Sequence, residues 1–253
     1  MRLDNYLFQN GLVFSRNKAS ELIKNQKVKV DGKIITKPSF KLDDNSTHNN
    51  SSLNNPTIEI LEDNIYVSRA SLKLKGFLEE LASQNIDINI TDNDILDIGS
   101  STGGFAQILL EHNPASISCV DVGSNQLHKI VKSDNRIKSY EQCDIREFKQ
   151  RFNIDRFQII TCDVSFISLH HILSSIDELS SRYIILLFKP QFEVGKEAKR
   201  DRNGKVLDES KIQEARERFI SATQDMNWTI KFNSKSTIKG KSGNHEELFL
   251  FSK

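Results

Sequence analysis

The chain has 253 residues, 37% hydrophobic and 27% charged, which suits one large soluble domain or a large domain with a small companion. Its three cysteines, Cys119, Cys143 and Cys162, form no CxxC pair or Cys/His cluster, which argues against structural zinc or a disulfide framework and for a reducing, cytoplasmic setting. The net charge is +1 and the longest apolar run, Tyr183 to Phe188, is far short of the roughly 20 residues of a membrane helix, so neither a metal nor a membrane is an expected partner.

The first ten residues carry no apolar stretch of signal-peptide length. Residues 1–41 hold nine basic residues against three acidic ones, so the near-neutral total hides a cationic front segment. "LDNYLFQNGL" spaces Leu3, Tyr6 and Leu7 as a short helix stopped by Gly11. "SRNKASELIKNQK" predicts a second helix capped by Ser15, with Ala19, Leu22 and Ile23 as its apolar stripe. "KVKVDGKIIT" alternates and turns at Asp31-Gly32, the mark of a hairpin. A solvated charged face accounts for the lysines equally well by composition alone. The order R-L-D, S-R-x-x-A, V-x-V-D-G, however, resembles the S-four-type RNA-binding module. That resemblance implies contacts to RNA backbone and shape, with Arg2, Arg16, Lys18, Lys24 and Lys29 as the contacts.

Asp43 to Pro56 is rich in Asn and Ser and is expected to be a flexible loop; "TIEILED" supplies a last strand to the small domain. The expected division is residues 1–61 as RNA-binding domain, 62–66 as linker and 67–253 as a second domain. In that second domain "YVSRASLKLKG" opens a helix with Leu74, Phe77, Leu78 and Leu81 on its core face, and Arg69 joins the set of expected RNA contacts. From Asp94 onward, strand-like runs ("DILDI", "SISCVDV", "FQIITCDV", "RYIILLF", "WTIKF", "ELFLF") alternate with helix-like ones, among them "SNQLHKIVK" and "SLHHILSSIDEL". This is an α/β sandwich on a largely parallel sheet, whose ligands sit beyond the carboxyl ends of the strands.

"DIGSSTGGF" marks such a place. Gly99, Gly103 and Gly104 admit close backbone approach, and Ser100 and Ser101 add small donors. The turn lacks the Lys of a phosphate loop and breaks the dinucleotide fingerprint. It has instead an acid before it, Asp97, and another ending the next strand, Asp121. An acid in Asp121's position can accept two ribose hydroxyls, and Asp97 suits a cationic amino-acid group. Together they fit S-adenosyl-L-methionine, although either acid can also simply close a turn. Asp144 suits an adenine amino group or the N-cap of "REFKQ"; Phe105 suits a cofactor wall or the core.

The acceptor atom is narrowed by residue type. The D/N-P-P-Y/F turn typical of base-amine methylation is replaced by "DVSF", Asp163 to Phe166. Carbon methylation of pyrimidines needs a cysteine nucleophile, and Cys162 sits within an apolar strand, where packing explains it. A ribose hydroxyl must lose a proton, and a lysine can take it only as the neutral amine, a form favoured by burial and nearby positive charge. Lys189, Asp163 and Glu246 fall at strand ends or beginnings and Lys73 on the preceding helix; any one of them alone would pass for a surface charge.

The motifs "YVSRASLKL", "LDIGSSTGGF", "VDVGSNQL", "CDVSFISL", "KPQFEVGK" and "GNHEE" span the chain in one order, and the whole resembles the hemolysin A (TlyA) family of ribosomal RNA cytidine-2'-O-methyltransferases. The resemblance implies a Rossmann-like class I SAM-dependent methyltransferase sandwich of the FtsJ-like type behind a small α+β S-four-type domain. It implies a Lys-Asp-Lys-Glu tetrad of Lys73, Asp163, Lys189 and Glu246, with Lys189 as general base, Lys73 favouring its neutral form and placing the ribose, and the carboxylates orienting both amines. Where the family has an aromatic residue after its glutamate, this chain has Glu247. The implied partner is ribosomal RNA or a ribosomal subunit, the large subunit foremost because the chain is similar to the shorter members. The charged segment Glu193 to Val206 is expected to be a mobile loop over the site or a plain solvated one. The alternatives are a ribosome-binding factor without turnover and a membrane-active hemolysin.

Overall fold

The computed structural model describes residues 1–13, 15–42, 56–61 and 66–253. All but the last residue of the expected loop at 43–56, and all but the last residue of the expected linker, lie outside the described residues. The chain divides into two compact units, Met1–Ile65 and Tyr66–Lys253.

In the first unit, α1 (Leu3–Gln9) and α2 (Arg16–Lys24) accompany a small antiparallel sheet of β1 (Val28–Val30), β2 (Lys33–Ile34) and β3 (Ile58–Ile60) in the order β2-β1-β3. Ser15 caps α2 by accepting the Lys18 N–H at 3.1 Å. Asp31 and Gly32 both adopt positive φ, 49° and 77°, the left-handed pair that a two-residue hairpin turn requires. Leu3, Leu7, Ala19, Leu22, Ile23 and Val28 are fully buried and form the core. At roughly 1.5–3 kcal/mol for each large aliphatic side chain buried, these few residues hold the unit together.

The second unit begins with α3 (Arg69–Ser83). There follow β4 (Asp94–Ile98), α4 (Gly104–Leu110), β5 (Ser116–Val120), α5 (Lys129–Lys132), β6 (Ile137–Tyr140), α6 (Ile145–Phe152) and β7 (Phe157–Cys162). A 3₁₀ turn at Leu169–His171 leads to α7 (Leu173–Leu179), β8 (Ser180–Phe188), the short α8 (Pro190–Glu193), α9 (Glu209–Asp225), β9 (Thr229–Lys235) and β10 (Glu247–Ser252). The sheet order is β6-β5-β4-β7-β8-β10-β9. The first five strands are parallel, and β10 runs antiparallel to both neighbours. This is the Rossmann-like α/β sandwich that the alternating strands and helices predict. Alternate residues of each strand feed two cores: Ile95, Ile117, Ile159 and Ile185 on the face of α3 and α4, and Leu96, Ile160, Ile184 and Phe249 on the other. Among the described residues no helix is long and apolar enough to cross a membrane.

Two expected helices are shorter than their patterns. The run at 124–132 is helical only over Lys129–Lys132, because the Glu141 carboxylate accepts the Gln126 and Leu127 N–H groups at 3.2 and 3.4 Å and Asn125 adopts φ 54°. "SLHHILSSIDEL" breaks into the 3₁₀ turn and α7 because Ser168 and Glu193 capture its first amides. The segment 195–206 is tied down: Arg200 donates to the Gly195 and Ala198 carbonyls and bridges Val206, whose N–H donates to Asn244 at 2.9 Å.

The antiparallel β10 shapes the site. Its register pairs Glu247 with Phe188, so the preceding Glu246 stands opposite Lys189, just past the carboxyl end of β8. One edge of the sheet thus collects Asp97, Asp121, Asp163, Lys189 and Glu246.

Candidate active site

The glycine turn is held by sterics. Gly99 has φ 74°, and a side chain there would meet the Asp163 backbone at 3.0 Å. Gly103 has φ 89° as the N-cap of α4, against Leu127 and Val131. A side chain on Gly104 would run into Ser68 and Ala70 at the start of α3. The turn therefore binds α3, α4 and the loop after β7 closely enough that only hydrogen fits at these positions.

A cleft of about 420 Å³ opens over this turn, and its lining includes Ser68, Arg69, Lys73, Asp97, Asp163 and Lys189. Lys73 Nζ contacts Glu246 Oε2 at 2.6 Å, and both side chains are buried. Lys189 Nζ contacts Asp163 Oδ1 at 2.5 Å and donates to Ser165 Oγ at 2.8 Å. The four side chains come from four separate segments and form two ion pairs at one edge of the sheet. Glu247, the competing carboxylate, turns away to accept hydrogen bonds from Arg216 Nε and Nη2 at 2.8 Å each and from the Asn233 amide.

Asp97 is 1% exposed. Its Oδ1 accepts the Thr161 hydroxyl at 2.7 Å, while Oδ2 is buried with no hydrogen-bond partner among the described residues. Burial, reinforced by the charges of Asp163 and Asp121, pushes its carboxyl up to about 7. A buried carboxylate with one oxygen left unpaired among the described residues, beside a cleft, suits a cationic ligand group.

A second cavity of about 320 Å³ shares Gly99, Ser101, Asp163 and Ser165 with the first and extends to Asp121, Cys143, Asp144 and Phe166. Asp121 accepts the Ser101 and Gly123 N–H groups at 2.8 and 2.7 Å, so it closes the turn while lining the cavity. Asp144 caps α6 through the Arg146 N–H and pairs with the Arg146 guanidinium, which holds its carboxyl below the usual range. Phe105 is core and also lines the first cleft, and Ser100 and Ser101 sit in the turn beside it. Cys162 is fully buried, and burial drives its thiol far up, as suits a packing residue. Among the described residues no group of three or more His, Cys, Asp or Glu could hold a metal ion.

In the first unit, Arg2 and Arg16 converge on the buried Asp4: Arg2 through two hydrogen bonds of 3.0 and 2.8 Å, Arg16 through one of 3.2 Å. Both stay about half exposed, so they anchor the fold and still face solvent. Lys18 pairs with Glu21 and Lys29 with Glu59, and Lys24 is exposed on the last turn of α2. Arg69 of the second unit donates to the Lys239 carbonyl at 2.6 Å and lines the first cleft with Lys239 and Lys241.

Sequence reasoning missed Ser68, Ser165, Thr161 and Gln191. Ser68 Oγ lies buried without a partner among the described residues at the head of α3. Gln191 Nε2 donates to Glu246 Oε1 at 2.9 Å. The available signal was position: Thr161 and Ser165 flank Asp163, and Gln191 follows Lys189 by two residues.

Residues 66–253 match the family model described as FtsJ-like methyltransferase, and residues 1–47 match the S4 domain. Over the full length of both chains, the sequence is 45% identical to the 23S rRNA (cytidine-2'-O)-methyltransferase TlyA of Campylobacter jejuni. It is 33% identical to the 16S/23S rRNA (cytidine-2'-O)-methyltransferase TlyA of Mycobacterium tuberculosis, with 99% of this chain and 88% of that relative covered. A solved structure of a candidate hemolysin from Streptococcus thermophilus matches with a TM-score of 0.70 and 31% identity, covering 100% of this chain and 88% of the other.

Proposed function

The chain belongs to the TlyA family, an S4 domain followed by an FtsJ-like methyltransferase domain, and on that premise we propose that it transfers a methyl group from S-adenosyl-L-methionine to the ribose 2'-hydroxyl of a cytidine in ribosomal RNA, the large-subunit RNA foremost. The observation that carries this reading is the pair of contacts, Lys73 with Glu246 and Lys189 with Asp163, with Lys73, Asp163 and Lys189 lining the cleft above the glycine turn. In this reading residues 1–61 grip RNA, residues 67–253 carry the chemistry, and the protein works in the cytoplasm, where its substrate is.

The residues present fit the methyl donor. The unpartnered oxygen of Asp97 suits its ammonium group. The hydroxyl of Ser68, unpartnered among the described residues at the N-terminus of the 15-residue α3, suits its carboxylate, because that helix end carries partial positive charge. Asp121 in the second cavity suits the ribose hydroxyls, since an ionised carboxylate has about four acceptor sites and two are used by backbone. Bound there, the donor would supply an electrophilic methyl on a positively charged sulfur.

The chain's own side chains handle the proton. Lys189 is the residue placed to take the 2'-hydroxyl proton and pass it to water, while the bound donor would supply the methyl group and leave as S-adenosylhomocysteine. Asp163 and Ser165 fix the Lys189 amine, and Glu246 fixes Lys73. At the rim, Arg69, Lys239 and Lys241 meet RNA phosphates, contacts that set register rather than read bases.

The test is chemical. A 2'-O-methyl group protects the adjacent phosphodiester from alkali. Purified protein with S-adenosylmethionine and ribosomal RNA or subunits is expected to create a protected linkage at a cytidine. Methyl transfer to a base, or none on any substrate, would overturn the proposal.

A further inference from the structure

One neutral side chain holds the carboxylate of the first ion pair and lies two residues from the lysine of the second. Gln191 lies in α8, two residues past Lys189, and its Nε2 donates to Glu246 Oε1 at 2.9 Å while Lys73 occupies Glu246 Oε2 at 2.6 Å. Both carboxylate oxygens are thus held. The other side is walled, because a side chain on Gly240 would run into the same carboxylate. The amide's own oxygen is buried with no partner among the described residues. Turning the amide over would set that oxygen against a carboxylate, so Glu246 fixes which way Gln191 points.

Building on the function proposed above, we propose that Gln191 is a positioning residue for methyl transfer. It locks the Glu246 carboxylate so that Lys73 is presented to the ribose, and it couples that pair to Lys189 through the one short helix. Its neutrality matters. A cation at 191 would compete with Lys73 for Glu246, and a carboxylate would repel Glu246 unless a proton lay between them. The charged groups around position 191 are Glu246 before β10, Lys73 on α3, Lys189 with Asp163 at the carboxyl ends of β8 and β7, and the neighbouring Glu193, whose carbonyl accepts from Arg218 of α9.

The experiment compares wild type with Gln191→Met and Gln191→Glu in steady-state methyl transfer to ribosomal subunits, and measures S-adenosylhomocysteine affinity on each. Gln191→Met is expected to lower kcat about tenfold, the scale of one hydrogen bond to a charged group, with KM for both substrates and the ligand's affinity within about twofold. Gln191→Glu, nearly isosteric, is expected to lose activity above neutral pH and regain it relative to wild type on acidification, as one proton comes to be shared by the two carboxyls. Unchanged kcat in Gln191→Met, or a Gln191→Glu pH profile that overlays wild type, would overturn the proposal. Absence of methyl transfer by wild type would instead sink the function it rests on.

Discussion

Lys73 and Glu246 stand 173 positions apart in the chain, yet their charged atoms meet at 2.6 Å within the second unit. The antiparallel turn of β10 makes this possible, since it returns the strand's beginning to the edge where the parallel strands end. Both side chains are buried, so removing either leaves an uncompensated charge. Lys73→Ala is expected to cost about 3 kcal/mol in urea unfolding, and the double change Lys73→Met with Glu246→Gln to recover most of it. Methyl transfer stays lost in both. Stability that does not recover in the double variant would show that the contact is not the source of the loss.

Asp97 gives a pH signature with a definite sign. Its folded-state value of about 7 lies above the ordinary carboxylate value near 4, so its contribution to stability is full below pH about 4 and is lost as pH rises through about 7. A cationic ligand group reverses the preference, because it needs the ionised carboxylate. Affinity for S-adenosylhomocysteine is therefore expected to fall about tenfold per pH unit on acidification below 7, with proton uptake by the free protein. Asp97→Asn is expected to bind weakly with a flat profile and to gain on wild type in stability above pH 7. Titration calorimetry across pH 5–8 checks both; a pH-independent wild-type affinity would contradict the assignment.

The turn offers a steric test. Gly99→Ala forces a methyl group against the Asp163 backbone at a positive φ, at an expected cost of about 1–2 kcal/mol or more. Because Asp163 holds Lys189, kcat is expected to fall along with stability. Full activity in a well-folded Gly99→Ala protein would separate the turn from the lysine.

Cys162 separates sugar from base chemistry. It is buried in β7 away from solvent, and Cys162→Ala is expected to retain methyl transfer at a stability cost of about 1–2 kcal/mol for the cavity. Loss of all transfer, with fold intact, would restore a cysteine-dependent carbon methylation.

The parallel sheet was legible because its strands are short apolar runs with glycines and acids just past their ends, and so were Asp97, Asp121 and Asp163. Lys73 has only its place on a helix and Glu246 only its place at a strand beginning; the likeness of whole motifs joined them, because their meeting depends on strand register. Gln191 and Ser165 stayed hidden for the same reason. The helix expected at 124–132 failed on a tertiary competitor, the Glu141 carboxylate, which no window over those residues contains. Arg2 and Arg16 announce positive charge, but their shared hold on Asp4 emerges only when α1 and α2 pack together.

The most direct test of the central claim is single-turnover methyl transfer to ribosomal subunits by wild type, Lys189→Ala and Lys189→Arg, with S-adenosylhomocysteine affinity measured on each. The account predicts a rate loss of about 10²–10⁴-fold in both variants, the span attributed to a positioned base, with ligand affinity little changed. Arginine keeps the charge but cannot give up its proton, so a Lys189→Arg protein that transfers methyl at the wild-type rate would contradict proton abstraction by Lys189.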